Sequence, residues 1–344
     1  MKAIYSPEHY KRQPVSELDG GQLVTPYEKA ERAEMVRDHV GRSKTVEWVA
    51  PKDFGLQPIL RIHDEGYIRF LQSCWTDWKA MGKAGEAIPA VWPARRMRQV
   101  IPKDIDARLG YYSFAAETSI SEGTWEAAYA SAQVALTAAE IVNKGEAAFG
   151  LCRPPGHHAA SDYFGGYCFI NNAAVCAQYF LDSGSQKVAI LDVDFHHGNG
   201  TQEIFYHRSD VHYYSLHGDP SLVFPHFLGY EDELGEGEGV GCNRNWVYGE
   251  GTSFTQWSEG LKEALHTIKV TGVDQLIVSL GVDTFEHDPI SFFKLTHDDY
   301  TTLGELIAAI KIPPLFLLEG GYAVEDIGVN VANVLAGFEH WNEQ

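Results

Sequence analysis

Strand-length apolar runs alternate with helical periodicity through most of this chain, and no other feature limits the possible folds so strongly. Strand candidates lie at 3–5, 46–49, 147–152, 188–192, 211–216, 275–280 and 315–318. Between them the apolar spacing predicts helices near 28–40, 63–81, 124–143, 171–182, 199–207, 255–270, 298–310 and 328–339. Strands separated by helices pair in parallel, with helices on both faces of the sheet. Such sheets bind ligands outside the carboxyl ends of their strands. Function is therefore to be sought where the strands stop.

Composition sets the outer bounds. With 44% hydrophobic and 22% charged residues, the 344-residue chain can fill a large core. There is no internal repeat, low-complexity tract or linker that forces a domain break, so residues 1–344 read as one domain. The opening Met1-Lys-Ala-Ile-Tyr-Ser looks like a first strand without a signal-peptide core. No apolar run approaches the roughly 18 residues of a membrane helix. Five cysteines, odd in number and without a C-x-x-C pair, fit reduced residues of a cytoplasmic protein. The formal charge of −20 argues against nucleic acid as a partner and favours a cationic small molecule.

Two segments stand apart. Residues 82–112 carry Trp92 and Arg95-Arg96-Met-Arg98 with no convincing period, which marks a functional loop or an interface. Residues 234–241 imitate a glycine-rich phosphate loop, but Glu236 and Glu238 would repel phosphate, so a tight or mobile turn is expected.

The strand ends carry the chemistry. After 188–192 comes Asp192-Val-Asp194-Phe-His196-His197-Gly-Asn199-Gly200, where Asp194 and His196 are two apart and share a side in extended chain. Carboxylate plus imidazole suits a borderline cation such as Zn²⁺, with Fe²⁺ or Co²⁺ also tolerated. A third anionic ligand, Asp283, follows 275–280 and would leave a coordination position open for water and a carbonyl. Taken alone, Asp283 is as good a helix cap, and Asp194 and His196 could merely satisfy loop amides.

The run 147–152 continues into Arg153-Pro-Pro-Gly-His157-His158, adjacent imidazoles suited to proton transfer or to a metal pair. The run 315–318 leads into Glu319-Gly-Gly-Tyr322, whose phenol could steady an oxyanion or simply pack. The run 211–216 ends in Ser215-Leu-His217, where oxygens could join Asp192 around a monovalent cation. Five rims bearing Asp, His or Tyr, with no Ser or Cys nucleophile motif, point to a metal-dependent hydrolase.

The motifs Arg153-Pro-Pro-Gly-His-His, Gly165-Gly-Tyr-Cys-Phe, Asp192-Val-Asp-Phe-His-His-Gly-Asn-Gly, Gly281-Val-Asp and Glu319-Gly-Gly-Tyr resemble the histone deacetylase superfamily in order and spacing. Smaller matches, His63-Asp-Glu-Gly-Tyr-Ile-Arg-Phe-Leu71 and Asn171-Asn-Ala-Ala, fall where that family has helices. The resemblance covers nearly the whole chain. It implies the α/β arginase/deacetylase fold, an eight-stranded parallel β-sheet flanked by helices on both faces. It makes Asp194, His196 and Asp283 the zinc ligands and His157 and His158 the tandem catalytic pair. His158 is expected to move the proton and His157 to be held by Asp192. Tyr322 is expected to hydrogen-bond the scissile carbonyl, and Tyr167 and Phe224 to wall a narrow tunnel. Asp192, the Asp194 and His196 carbonyls, Ser215 and Leu216 resemble an inner K⁺ or Na⁺ site.

Ser16-Glu17-Leu, Gly110-Tyr-Tyr-Ser-Phe-Ala-Ala-Glu117-Thr and His226-Phe-Leu-Gly-Tyr resemble the bacterial acetylpolyamine amidohydrolases within that superfamily. This likeness implies a homodimer in which the loop 82–112 packs across subunits and narrows the tunnel. Glu117 would face the distal ammonium of an acetylated polyamine, with Glu17 nearby and Asp106 contributed by the neighbouring subunit. Asn199 stands where some deacetylases have Asp, and Asp106 is one methylene shorter than the expected Glu. The rival activity is removal of acetyl groups from lysine in proteins. A non-catalytic receptor for acetylated amines is the alternative from another class.

Overall fold

The computed structural model describes residues 1–342, among which the alternation resolves into ten strands and ten α-helices. The strands are β1 (Lys2–Ile4), β2 (Glu17–Asp19), β3 (Gln22–Val24), β4 (Glu47–Val49), β5 (Ala148–Gly150), β6 (Val188–Asp192), β7 (Val211–Gly218), β8 (Asn243–Tyr248), β9 (Gln275–Leu280) and β10 (Pro314–Leu318). The helices are α1 (Ala30–Val40), α2 (Gln57–Leu60), α3 (Glu65–Ala80), α4 (Ile105–Tyr111), α5 (Thr124–Val142), α6 (Asn172–Asp182), α7 (Asn199–Phe205), α8 (Phe254–Thr271), α9 (His297–Ala308) and α10 (Val324–Asn342). Eight strands form one parallel sheet in the order β4-β1-β5-β10-β9-β6-β7-β8, and β2 pairs with β3 in a separate antiparallel hairpin.

Both faces of the sheet are buried, as continuous apolar strands require. On β6, Ala189 and Leu191 enter the core shared with α1, α8, α9 and α10, while Val188 and Ile190 enter the core shared with α5 and α6. A third apolar cluster, with Tyr67, Phe70, Leu109 and Tyr112, ties α3 and α4 to the outer surface of α5. Local caps start the helices near the site. Asp64 accepts the Tyr67 N–H at α3, and Asn171 accepts the Ala174 N–H at α6, each cap worth about 1 kcal/mol.

The seven expected strands and eight expected helices are all present, with shifted ends. Strand β8 is missing from the expectation because it opens on Asn243-Arg-Asn245, polar residues that look like loop. The amides of Asn243 and Asn245 are buried and both donate to Gln202 Oε1, so this edge strand hides polar groups at its start before Trp246 joins the apolar core. Residues 234–241 form a tight turn, closed by Gly241 N–H donating to the Leu234 carbonyl and Gly239 N–H to that of Glu236. The loop 82–112 contains the short helix α4.

Candidate metal centre and active site

Strands β5, β10, β9 and β6 are consecutive neighbours at the middle of the parallel sheet, so their carboxyl ends open onto one edge. That edge receives His157 and His158 after β5, Tyr322 after β10, Asp283 after β9, and Asp194 and His196 after β6.

Asp194, His196 and Asp283 converge, with their ligand atoms all within 4.8 Å of one another and the residues buried. His196 Nδ1 lies 2.9 Å from Asp283 Oδ2 and 3.5 Å from Asp194 Oδ1. Glycines make the room. A Cβ on Gly320 would lie 2.4 Å from Asp283 Oδ2 and 2.6 Å from Asp194 Oδ2. The remaining carboxylate oxygens are fixed by the backbone. Asp194 Oδ1 accepts from His196 N–H, Asp194 Oδ2 from Gly320 N–H, and Asp283 Oδ1 from Phe195 N–H. Burial and the charge of Asp194 push the Asp283 carboxyl up to about 8. Burial opposes the charge of His196 too, but hydrogen bonds to Asp194 and Asp283 lift it to about 9. Two buried carboxylates facing one imidazole constitute a cavity that calls for a cation, and the donor set fits Zn²⁺, Fe²⁺ or Co²⁺.

The paired imidazoles lie beside it, 4.0 Å apart between ring centroids. His157 Nδ1 is 3.1 Å from Asp192 Oδ2, which also accepts the Tyr213 hydroxyl, and its Nε2 is 3.9 Å from Asp194 Oδ1. Burial disfavours its charge, yet Asp194 and Asp192 outweigh that and raise His157 to about 10. His158 goes the other way, held well below the ordinary imidazole range by burial and by the charges of His157 and His196. Its Nδ1 lies 2.7 Å from Asn199 Oδ1, while Asn199 Nδ2 donates to the His158 carbonyl. This orientation of the amide makes Nδ1 the protonated nitrogen and leaves Nε2 with its lone pair.

Tyr322 is buried, and burial keeps its hydroxyl well above the usual phenol range, hence protonated. Beneath it lies a buried guanidinium that sequence reading did not single out. Arg32 sits 4.7 Å from the Tyr322 ring and donates to the Gly321 and Glu319 carbonyls, with Glu28 as its counter-ion. Glu319 also acts, its Oε2 accepting the Gly156 and His157 N–H groups and so fixing the turn that carries the histidine pair. Arg32 gives no local signal, since a lone Arg in an amphipathic helix normally faces water.

A cavity of about 370 Å³ opens above these groups. His158, His196 and Tyr322 reach its floor, and Tyr167 and Phe224 line it. Tyr167 lies 5.5 Å from Tyr322 with its ring tilted by 60°, and Phe224 meets His158 edge-on at 5.0 Å. Tyr167 holds a left-handed φ of 66°, secured by its N–H donating to Thr118 Oγ1. Glu17, Asp19 and Glu117 also line the cavity, and no lysine or arginine does among the described residues. Glu117 Oε1 accepts from Gly166 N–H and Thr118 hydroxyl, leaving Oε2 free. Glu17 is fully engaged, taking the Tyr167 hydroxyl at 2.6 Å and the Tyr27 N–H at 3.1 Å, and burial pushes it up to about 7.

Other expected residues stand further off. Asp106, on α4, pairs with Lys83 of the same chain and does not line the cavity. Ser215 lies beside Asp192 in strand register, but its hydroxyl hydrogen-bonds His217 Nδ1 at 2.7 Å. The Leu216 carbonyl accepts from Trp257 Nε1 at 3.5 Å. Asp288, overlooked in an Asp-Pro turn, reaches the backbone of Tyr322. No described helix is long and apolar enough to cross a membrane, and all five cysteines are free.

Known proteins resemble this chain over nearly its whole length. Residues 26–338 match the histone deacetylase domain. Acetylpolyamine amidohydrolase 2 of Pseudomonas aeruginosa PAO1 is 54% identical over 340 residues, covering 98% of this chain and 99% of its own. The acetylpolyamine amidohydrolase of Mycoplana ramosa is 54% identical over 338 residues with the same coverage. The crystal structure of an acetylpolyamine aminohydrolase from Burkholderia pseudomallei matches with a TM-score of 0.95 at 38% identity, covering 99% of both chains.

Proposed function

The chain belongs to the histone deacetylase family, and from that premise we propose that it hydrolyses the acetyl amide of acetylated diamines and polyamines. The observation that carries this reading is the combination of an amide-hydrolysing floor with a mouth lined by Glu17, Asp19 and Glu117. A chain with ammonium groups beyond its acetyl end fits such a mouth.

Asp194, His196 and Asp283 hold the divalent cation, with Zn²⁺ as the first choice. When bound, it supplies Lewis acidity that lowers the pKa of water and polarises a carbonyl. His158 takes a proton from the attacking water at Nε2, with Asn199 keeping that nitrogen free. His157, charged beside Asp192, stabilises negative charge without moving a proton. The Tyr322 hydroxyl donates to the carbonyl oxygen as the carbon becomes tetrahedral. The C–N bond then breaks, His158 returns its proton to the leaving nitrogen, and free amine and acetate result.

The monovalent ion (K⁺ or Na⁺) is assigned to Asp192, Asp194, His196, Ser215 and Leu216. The chain acts as one domain over 1–344 and as a homodimer, with Asp106 presented to the partner's mouth. Support for the dimer comes from the exposed Val91, Met97, Val100 and Ile101 on the 82–112 loop.

Metal-reconstituted protein assayed on acetylputrescine, acetylspermidine and an acetyl-lysine peptide tests the substrate. Acetylpolyamine turnover well above peptide turnover is expected. The reverse order would transfer the reading to a protein deacylase, and no metal-dependent release of acetate would leave only a receptor.

A further inference from the structure

Asp288 stands in the loop between β9 and α9 and is 6% exposed, yet among the described residues no lysine or arginine pairs with it. All its carboxylate hydrogen bonds come from backbone amides. Oδ1 accepts the Ile290 N–H at 3.1 Å, closing its own turn. Oδ2 accepts the Tyr322 N–H at 2.7 Å and the Ala323 N–H at 3.2 Å. Those two amides lead into α10 and lack helical partners, so a carboxylate there is both a hydrogen-bond acceptor and a favourable charge for the helix end. Capping residues normally sit at the helix start itself. Here the carboxylate comes from another loop, 34 residues away in sequence, and holds the two amides just before Val324.

The consequence lies at the active site. The turn carrying Tyr322 is gripped from two sides, Arg32 taking the Glu319 and Gly321 carbonyls and Asp288 taking the Tyr322 and Ala323 amides. The same aspartate fixes Ile290, which lines the mouth. We propose that Asp288 is a positioning residue for the reaction, which holds the Tyr322 hydroxyl at the carbonyl by clamping the Tyr322 backbone to the loop of Asp283. This rests on the reading of Tyr322 as the carbonyl's hydrogen-bond donor. A hydrogen-bond donor displaced by about 1 Å costs up to about a hundredfold in rate.

The test compares metal-loaded wild type, Tyr322→Phe, Asp288→Asn, Asp288→Glu and the double variant Asp288→Asn/Tyr322→Phe on one acetylated diamine. Asp288→Asn nearly preserves shape but cannot offer an oxygen to both sets of amides. Asp288→Glu keeps both oxygens, while its extra methylene shifts the turn. Expected are a kcat lower by about tenfold to a hundredfold for Asp288→Asn, a smaller loss for Asp288→Glu, KM within about threefold, and unchanged metal content. In the Tyr322→Phe background, Asp288→Asn costs no further kcat, because the hydroxyl being positioned is gone. Full kcat in Asp288→Asn, a loss in Asp288→Glu as large as that in Asp288→Asn, additive losses in the double variant, or a change confined to KM overturns the proposal. Undiminished turnover by Tyr322→Phe itself would instead refute the role of the phenol on which the proposal stands.

Discussion

His158 and Asn199 form a pair in which the amide oxygen lies 2.7 Å from Nδ1 and the amide nitrogen turns back to the His158 carbonyl. The contact fixes a tautomer without adding charge. Burial and the charges of His157 and His196 hold His158 low, outweighing the upward pull of Asp194 and of the neutral Asn199 hydrogen bond. Replacing Asn199 by Asp puts a negative charge against Nδ1 and favours the protonated ring. His158 acts as base only when neutral, so a raised pKa removes active enzyme at low pH. The acidic limb of kcat/KM is expected to move to higher pH by about 1–2 units in Asn199→Asp. A pH profile that does not move would exclude His158 as the base.

The metal cradle can be separated from the fold by Asp283→Asn. Without a cation, burial and Asp194 push the Asp283 carboxyl up to about 8, above its ordinary value near 3.8. A raised folded pKa means that the folded state binds the proton more firmly. Its stabilising contribution is full below the unfolded pKa and is lost as pH rises through about 8. Metal-free wild type should therefore lose thermal stability from pH 4 toward pH 8 by more than metal-free Asp283→Asn. Added Zn²⁺ should raise the Tm of wild type, by about 2.7 kcal/mol of stability at a hundredfold excess over Kd, and leave that of the variant nearly unchanged. Calorimetry with and without metal decides it. An equal metal shift in both proteins removes Asp283 from the ligand set.

Glu117 has one oxygen for the protein and one for the cavity. Its Oε1 holds Gly166 N–H and Thr118 hydroxyl, bonds that a glutamine oxygen can keep. Glu117→Gln thus removes charge while preserving the wall. For an acetylated diamine KM is expected to rise about tenfold, equivalent to about 1.4 kcal/mol, with kcat within about twofold. The wild-type KM should rise with salt as the attraction is screened. N-butylacetamide, which lacks the distal ammonium, should lose nothing. Equal losses on both substrates would count against an electrostatic role.

The convergence of Asp194, His196 and Asp283 was legible because each follows an apolar run directly. Asp194 and His196 leave β6 at once, and Asp283 leaves β9 three residues after Leu280, so local sequence places them on one rim. What could not be read are groups whose meaning depends on distant partners. Arg32 looks like any helical arginine until Glu28 and the Glu319 carbonyl surround it. Helix α10 starts at Val324, four residues earlier than its apolar period predicts, because Glu325 and Asp326 mask the first turn and Asp288, which holds the amides just before it, lies in another loop. Strand β8 was hidden for a similar reason, since its buried asparagines are satisfied by Gln202 on α7. Asp106 pairs with Lys83 within one chain, a partner that the sequence around it does not announce.

Glu17 differs from Glu117 in having no oxygen to spare. Its carboxyl joins the Tyr167 hydroxyl to the Tyr27 amide, and burial lifts it to about 7 against an ordinary 4.5. In the folded protein it is therefore protonated below neutrality and charged above. Because the folded pKa is the higher one, the stabilising effect is complete below pH 4.5 and disappears as pH rises through about 7. Glu17→Gln cannot ionise, so its Tm should fall less than that of wild type between pH 5 and pH 8. Binding should change in the opposite sense. Ionisation adds negative charge to the mouth, so the wild-type KM for an acetylated diamine should drop across pH 7 relative to that of Glu17→Gln. Expressing both effects as differences between the two proteins cancels the titrations of His157, His196 and the substrate that they share. Parallel Tm and KM profiles in the two proteins would confine Glu17 to holding Tyr167. A divergence centred near pH 7 would make it an anchor for the tunnel wall that also sets the charge at the mouth.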